Sequence, residues 1–238
     1  MKQITSKDNP RLKTIRRLAQ DSQAYRKLGW VWLEGDHLCR AALARGFKPE
    51  LAIFTESIWQ ASEFEWSQCA NEVWTVPDVL FATLSSLESP AKMGFLLTLP
   101  EPPELDPHAA TVVLDRLQDA GNVGALLRSA SAFGFKQVVA IKGTAGLWST
   151  KVLRAGMGAH FGLQLIESAS VENLQSLKIP LLGTDVHEGP YWHELLKPGG
   201  CLRSVLGSWG MKGRAFQQKS WPWWPKKSEL LSPAVKNL

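Results

Sequence analysis

Apolar positions in this chain follow two periods that alternate along its length. Val112, Val113 and Leu114 make a short unbroken apolar run, residues 119–122 form a polar turn, and Val123, Leu126, Leu127, Ala130 and Phe133 then recur at intervals of three and four. The first pattern fits a buried strand and the second fits one face of a helix. Gly134 stops the helix and residues 135–141 read as a second buried strand, so the predicted unit is strand, helix, strand on a parallel, open α/β sheet. Sheets of this kind bind ligands beyond the carboxyl ends of their strands, which directs attention to the loop after Leu114. Asn122 stands there as a helix cap or side-chain hydrogen-bonder, Gly124 admits close approach of another backbone, and Arg128 is a fixed cation one turn on. A guanidinium in that place can grip a phosphate or carboxylate through two hydrogen bonds. By spacing alone, the same residues also describe an ordinary turn with a surface arginine.

The first hundred residues alternate in the same way. Thr5 or Ser6 can cap a short helix, Asn9-Pro10 favours a turn, and after it Leu12, Ile15 and Leu18 form an apolar stripe with Arg11, Lys13, Arg16 and Arg17 outside it, which predicts a helix with a basic face. Residues 30–33 read as a strand, 36–45 as a helix with Leu38, Ala41, Ala42 and Leu43 inward, 51–55 and 73–76 as strands, and 94–99 as the closing strand. Three prolines in EPPELDPH, residues 101–108, predict a stiff, exposed linker. The expected organisation is an α/β domain at 1–100, a linker at 101–108 and a Rossmann-like parallel-sheet domain at 109–238, with further strands at 163–166 and 179–184.

Charge sharpens this picture. The chain of 238 residues carries a net charge of +5 and a pI near 9.2. Residues 1–45 hold ten Lys/Arg against four Asp/Glu and residues 201–238 hold seven against one, so both ends are cationic and the middle is acidic. That distribution suits a nucleic-acid partner, and also a solvated basic face. Cys39, Cys69 and Cys201 are odd in number with no CxxC pair, which predicts neither a disulfide framework nor a zinc site and fits a reducing cytoplasm. Five histidines show no metal-ligand spacing, and no run of eighteen apolar residues predicts a membrane span.

LDRLQDAGNVGALLRSASAFG resembles the first motif of the SpoU family of RNA ribose methyltransferases, an Asn, any residue, Gly, three residues, Arg, any residue and Ala, here Asn122, Gly124, Arg128 and Ala130. STKVLRAGMGAHF resembles the family's next stretch through Lys151, Arg154 and Met157-Gly158-Ala159, and GTDVH at 183–187 the strand and loop beside its cofactor. ITSKDNPRLK and YRKLGWVWLEGDHLCRAAL resemble the substrate-binding domain that precedes the knot in many of its members, through Asn9, Pro10, Lys13, Arg26, Glu34 and Gly35. The resemblance implies a knotted SPOUT fold, a homodimer, S-adenosylmethionine as cofactor, and methylation of a ribose 2′-hydroxyl in rRNA or tRNA, rRNA before tRNA. It gives Arg128 the catalytic role with Asn122 orienting its loop. Gly207, Trp221 and Leu230 fall at cofactor contacts, and Lys13, Arg16, Arg17 and Arg26 lie in the basic domain expected to bind RNA.

After about residue 200 the family pattern fades. In CLRSVLGSWGMKG, Gly207, Ser208 and Gly210 fit the second motif, but Trp209 stands where a Glu belongs and Gly213 is one residue late. The third motif is replaced by WPWWPKKSELLSPAVKNL, in which Trp221 takes the place of an isoleucine and Leu230 falls at the leucine. Trp221, Trp223 and Trp224 between lysines can stack bases or fill a core. Three accounts fit this tail: divergence with a rebuilt pocket, an inactive protein that only binds RNA, or a shifted reading frame.

Overall fold

The computed structural model describes residues 1–179, 181–183 and 206–209. By packing, the chain divides into two compact units, one of Met1–Pro102, Asp119–Ser129 and Ala145–Gly162, the other of Pro103–Gln118, Ala130–Thr144 and Leu163–Leu238.

The first unit runs β1 (Lys2–Gln3), α1 (Pro10–Gln20), α2 (Ala24–Leu28), β2 (Trp30–Glu34), α3 (Asp36–Ala44), β3 (Leu51–Thr55), α4 (Glu56–Trp66), β4 (Glu72–Val76), α5 (Asp78–Ala82) and β5 (Met93–Thr98). Its sheet has the order β1-β4-β3-β5-β2, with β1, β4 and β3 parallel and β5 antiparallel to both of its neighbours. The apolar stripe of α1 is buried as expected, Leu12, Ile15 and Leu18 facing inward. No helix starts at Thr5 or Ser6; α1 is the first helix, and its cap comes from the expected turn, where the Asn9 side chain accepts from the backbone N–H of Arg11 and Leu12 and Pro10 starts the helix where its missing N–H costs nothing. Helices α2 and α5 have five residues each, too few turns to show a period in the sequence.

The second unit contains β6 (Thr111–Leu114), β7 (Gln137–Ile141), β8 (Gln164–Ala169), β9 (Leu181–Gly183) and β10 (Leu206–Trp209), all parallel, in the order β8-β7-β6-β10-β9. This is the parallel open sheet that the apolar runs predict. Val113, Val139, Ile141, Ala169 and Leu174 form its core, with Leu105 of the proline-rich stretch packed against them. The fully buried Gln137 ties that stretch down, its amide oxygen accepting from the Asp106 N–H at 2.9 Å and its amide nitrogen donating to Thr111 Oγ1 at 2.8 Å. The stretch that departs from the family motif still enters the middle of the sheet: Gly207, Ser208 and Trp209 pair with Val112, Val113 and Leu114.

Two helices complete the description, α6 (Ala120–Ala132) and α7 (Thr150–Gly156). Phe133, placed on the apolar face of α6 by spacing, lies past its last residue and is 81% exposed. No helix among the described residues is long and apolar enough to cross a membrane.

Candidate functional site

The start of α6 is set by Asp119. Its carboxylate accepts from the backbone N–H of Asn122 at 2.7 Å and its carbonyl from that of Val123 at 3.0 Å, the arrangement of a helix cap. Asn122 is therefore not the cap that its position suggested. It lies in the first turn with its side chain exposed. Gly124 serves helix packing: a Cβ built on it would stand 2.4 Å from the Cβ of Ala155 and 2.7 Å from the Gly156 nitrogen, so α6 crosses α7 at a distance that only glycine allows. One turn on, Arg128 is exposed and its side chain makes no hydrogen bond or ion pair to any described residue. A cation on a helix held this firmly is available to a ligand without first breaking a bond.

Helix α7 is fixed along its length. Ser149 caps it by accepting from Val152 N–H, and the Thr150 hydroxyl donates to the Leu18 carbonyl at 3.0 Å. Arg154 reaches the buried Glu34 at the end of β2, 3.6 Å away, and the Ser86 hydroxyl at 3.4 Å. The helix ends in two left-handed residues, Met157 and Gly158 with φ of 49° and 87°, and a Cβ at Gly158 would lie 2.6 Å from that of Ala41. Fully buried His160 follows, its Nε2 2.9 Å from the Leu147 carbonyl. A carbonyl only accepts, so Nε2 carries the proton and Nδ1 is left as a buried acceptor without a partner. Burial pulls this imidazole down to about 4.

In the second unit, the turn after β6 is held by a neighbouring pair. Arg116, at φ 52°, donates from Nε and Nη2 to the two oxygens of the buried Asp115 carboxylate at 2.8 and 3.0 Å. The carboxylate holds the guanidinium charged, above its ordinary value. Gly143, in the turn after β7, leaves room for the Arg116 side chain, since a Cβ there would meet its Cγ at 3.2 Å. Thr144 donates to the Leu114 carbonyl at 3.0 Å, so the turns that leave neighbouring strand ends are locked together.

Comparison with known proteins now bears on these residues. The SpoU rRNA Methylase family profile matches residues 109–207, and a profile for the MRM3-like substrate binding domain matches residues 9–94. Residues 109–207 belong to the SpoU family. A curated relative is the 23S rRNA (guanosine(2553)-2′-O)-methyltransferase RlmP of Bacillus subtilis, 27% identical over 82% of this chain and 78% of that protein. Another is the mitochondrial rRNA methyltransferase 3 of Mus musculus, 30% identical over 69% of this chain. The match spans 41% of the mouse protein's length. Among solved structures, an RNA 2′-O ribose methyltransferase superposes with a TM-score of 0.72 at 28% identity, covering 92% of this chain and 85% of that one.

The SpoU motif residues thus have distinct duties here. Gly124 is a packing residue, whereas Asn122 and Arg128 are exposed. Gly207 lies in β10 in register with Val112, two residues from the carboxyl end of a parallel strand, and its bare backbone suits a cofactor contact there. Trp221 and Leu230 lie outside the described residues, as do Cys201, Gly210, Gly213, Trp223, Trp224 and residues 184–187, and the family match ends at Gly207.

The basic residues are not equally free. Lys13 pairs with Asp8 at 3.1 Å, Arg16 donates to Thr83 Oγ1 and the Lys7 carbonyl, and Arg26 donates to Gln23 and lies over the Tyr25 ring. Arg17 is exposed and its side chain makes no bond to a described residue. Asp119, Asp115 with Arg116, and the joining of Glu34 to Arg154 went unassigned in the sequence reading. Only Asp119 carries a local signal, an aspartate at cap position before a helical period.

Proposed function

We propose that the protein transfers a methyl group from S-adenosylmethionine to a ribose 2′-oxygen of RNA, rRNA in preference to tRNA. The observation that carries this reading is Arg128, an exposed cation with no partner among the described residues, on the helix whose motif glycine is locked against α7. Membership of the SpoU family, with curated relatives named as rRNA methyltransferases, supports it. Residues 1–100 serve substrate binding and 109–238 methyl transfer, in a cytoplasmic homodimer.

S-adenosylmethionine, when bound, supplies an electrophilic methyl on a sulfonium centre. Gly207 would contact it through its backbone. The chain's own task is to bring a weak nucleophile, the 2′-hydroxyl, into line and ease loss of its proton. A guanidinium holds its proton too tightly to act as a base, so Arg128 grips the phosphate beside the target ribose and polarises the hydroxyl, while Asn122 on the previous turn orients the entering strand. The Asp119 cap and the Gly124 contact keep both from moving.

Transfer of tritium from labelled cofactor to rRNA tests this. Arg128→Ala abolishes transfer and leaves RNA affinity within about tenfold, roughly 1.4 kcal/mol; an active Arg128→Ala variant removes the residue from the mechanism. A second reading, an RNA-binding protein without catalysis, is favoured by Trp209 in place of the family's Glu and by the end of the family match at Gly207. Calorimetry separates the two, since no heat at millimolar S-adenosylmethionine selects the second.

A further inference from the structure

Helices α1, α2 and α7 contain no acidic residue, and each carries at least two cations. The hydrogen bond from the Thr150 hydroxyl to the Leu18 carbonyl joins the first turn of α7 to the last turn of α1, and both residues are buried. Arg17 and Lys151 are the next residues along from that bond. Both are exposed, and neither side chain bonds to a described residue. Successive Cα atoms are about 3.8 Å apart, so the two backbones lie within roughly 15 Å, a gap that a long lysine and arginine can bracket. Lys27 on α2 is exposed and unpaired among the described residues in the same way. Its helix is tied to the segment leading into α7, because Gly146 sits against Tyr25 so closely that a Cβ would meet the phenolic oxygen at 2.6 Å. The nearest acid in sequence, Asp21, turns its carboxylate onto the Gln23 N–H at 2.8 Å.

We infer that Arg17, Lys27 and Lys151 form one cationic surface for the RNA backbone, built jointly by the amino-terminal fold and the α7 segment of the methylase sequence. The inference rests on the reading that this protein acts on RNA. It changes where RNA binds: the strand is held across the junction between the two sequence segments, not on residues 1–100 alone. Three unpaired cations on helices that carry no acid suit a phosphate chain, whose condensed counterions are released on binding, better than a protein surface with mixed charge. The other cations of these helices are already engaged: Arg11 with Glu72, Lys13 with Asp8, Arg16 with Thr83, Arg26 with Gln23 and Arg154 with Glu34.

Anisotropy titrations of the full chain with a fluorescein-labelled 23S rRNA transcript, repeated between 50 and 200 mM KCl, test it. Arg17→Ala, Lys27→Ala and Lys151→Ala should each weaken binding three- to tenfold and lower the slope of log K against log salt by about 0.7 to 0.9, while Lys151→Arg retains both. Thermal midpoints equal to wild type confirm that these exposed positions leave the fold intact. An unchanged affinity and slope for Lys151→Ala, with loss for Arg17→Ala, confines RNA to the amino-terminal fold and overturns the inference while leaving the proposed function standing. A wild-type chain that shows no salt-dependent RNA binding sinks both. Competition by polyglutamate as strong as by unlabelled RNA would make the surface's partner an acidic polypeptide and overturn the inference as well.

Discussion

The carboxylate of Glu34 and the guanidinium of Arg154 face each other at 3.6 Å, with side-chain exposures of 0% and 23%. Glu34 accepts one hydrogen bond, from the Ala91 N–H at 3.3 Å, and its other oxygen has none. Arg154 is therefore the counter-charge of a buried acid that the rest of the fold serves poorly. Removing one partner of such a pair costs more than the pair is worth, because it strands a charge. Arg154→Ala should lower unfolding free energy in urea by about 2–3 kcal/mol. Adding Glu34→Gln to that variant should restore at least about 1 kcal/mol, since the neutral amide no longer needs the cation. A double variant no more stable than Arg154→Ala would show that packing, not charge, holds this contact.

Gly124→Ala should disrupt the α6–α7 crossing. Its methyl would fall 2.4 Å from the Ala155 Cβ, and neither helix backbone can yield without moving its neighbours. Overpacking of this kind costs about 1–3 kcal/mol, and Arg128 is displaced with its helix. Differential scanning calorimetry should show a lower midpoint, with methyl transfer falling further than stability explains.

Asp119 and Asn122 should separate by readout. Asp119→Ala removes the cap that binds the Asn122 N–H and should cost about 1 kcal/mol of stability. Asn122→Ala leaves the cap in place and should stay within about 0.5 kcal/mol of wild type while methyl transfer drops. A stability loss at Asn122 equal to that at Asp119 would reverse these assignments.

His160 should make the fold sensitive to acid. Burial lowers its folded value to about 4 from the usual 6.5, so the unfolded chain binds the extra proton. Its stability contribution is complete above pH 6.5 and is lost as pH falls towards 4, by up to about 3 kcal/mol. His160→Gln keeps a donor for the Leu147 carbonyl and should flatten the decline of melting temperature between pH 7 and 4. An equally steep decline in the variant would place the acid sensitivity elsewhere.

Sequence by itself determined the parallel sheet around residues 112–141, the helix carrying Asn122 and Arg128, the basic face of α1 and the family. Each is written in a local signal: the period of apolar positions reports which face is buried, and a motif's spacing survives without knowledge of its neighbours. Where a signal was only approximate, local chemistry shifted the result by a few residues, as when the first helix starts after Asn9 rather than after Thr5 or Ser6, and Asp119 rather than Asn122 caps α6. The roles that depend on distant partners were decided by tertiary structure alone. Gly124 is required by Ala155, Glu34 is answered by Arg154, and Thr150 closes on Leu18. The strand Leu206–Trp209 slots between β6 and β9 although its motif is broken. Backbone pairing needs only extended chain in register, so a strand can survive the loss of the side chains by which a family is recognised, and no local pattern announces which buried charge or missing Cβ its partner will demand.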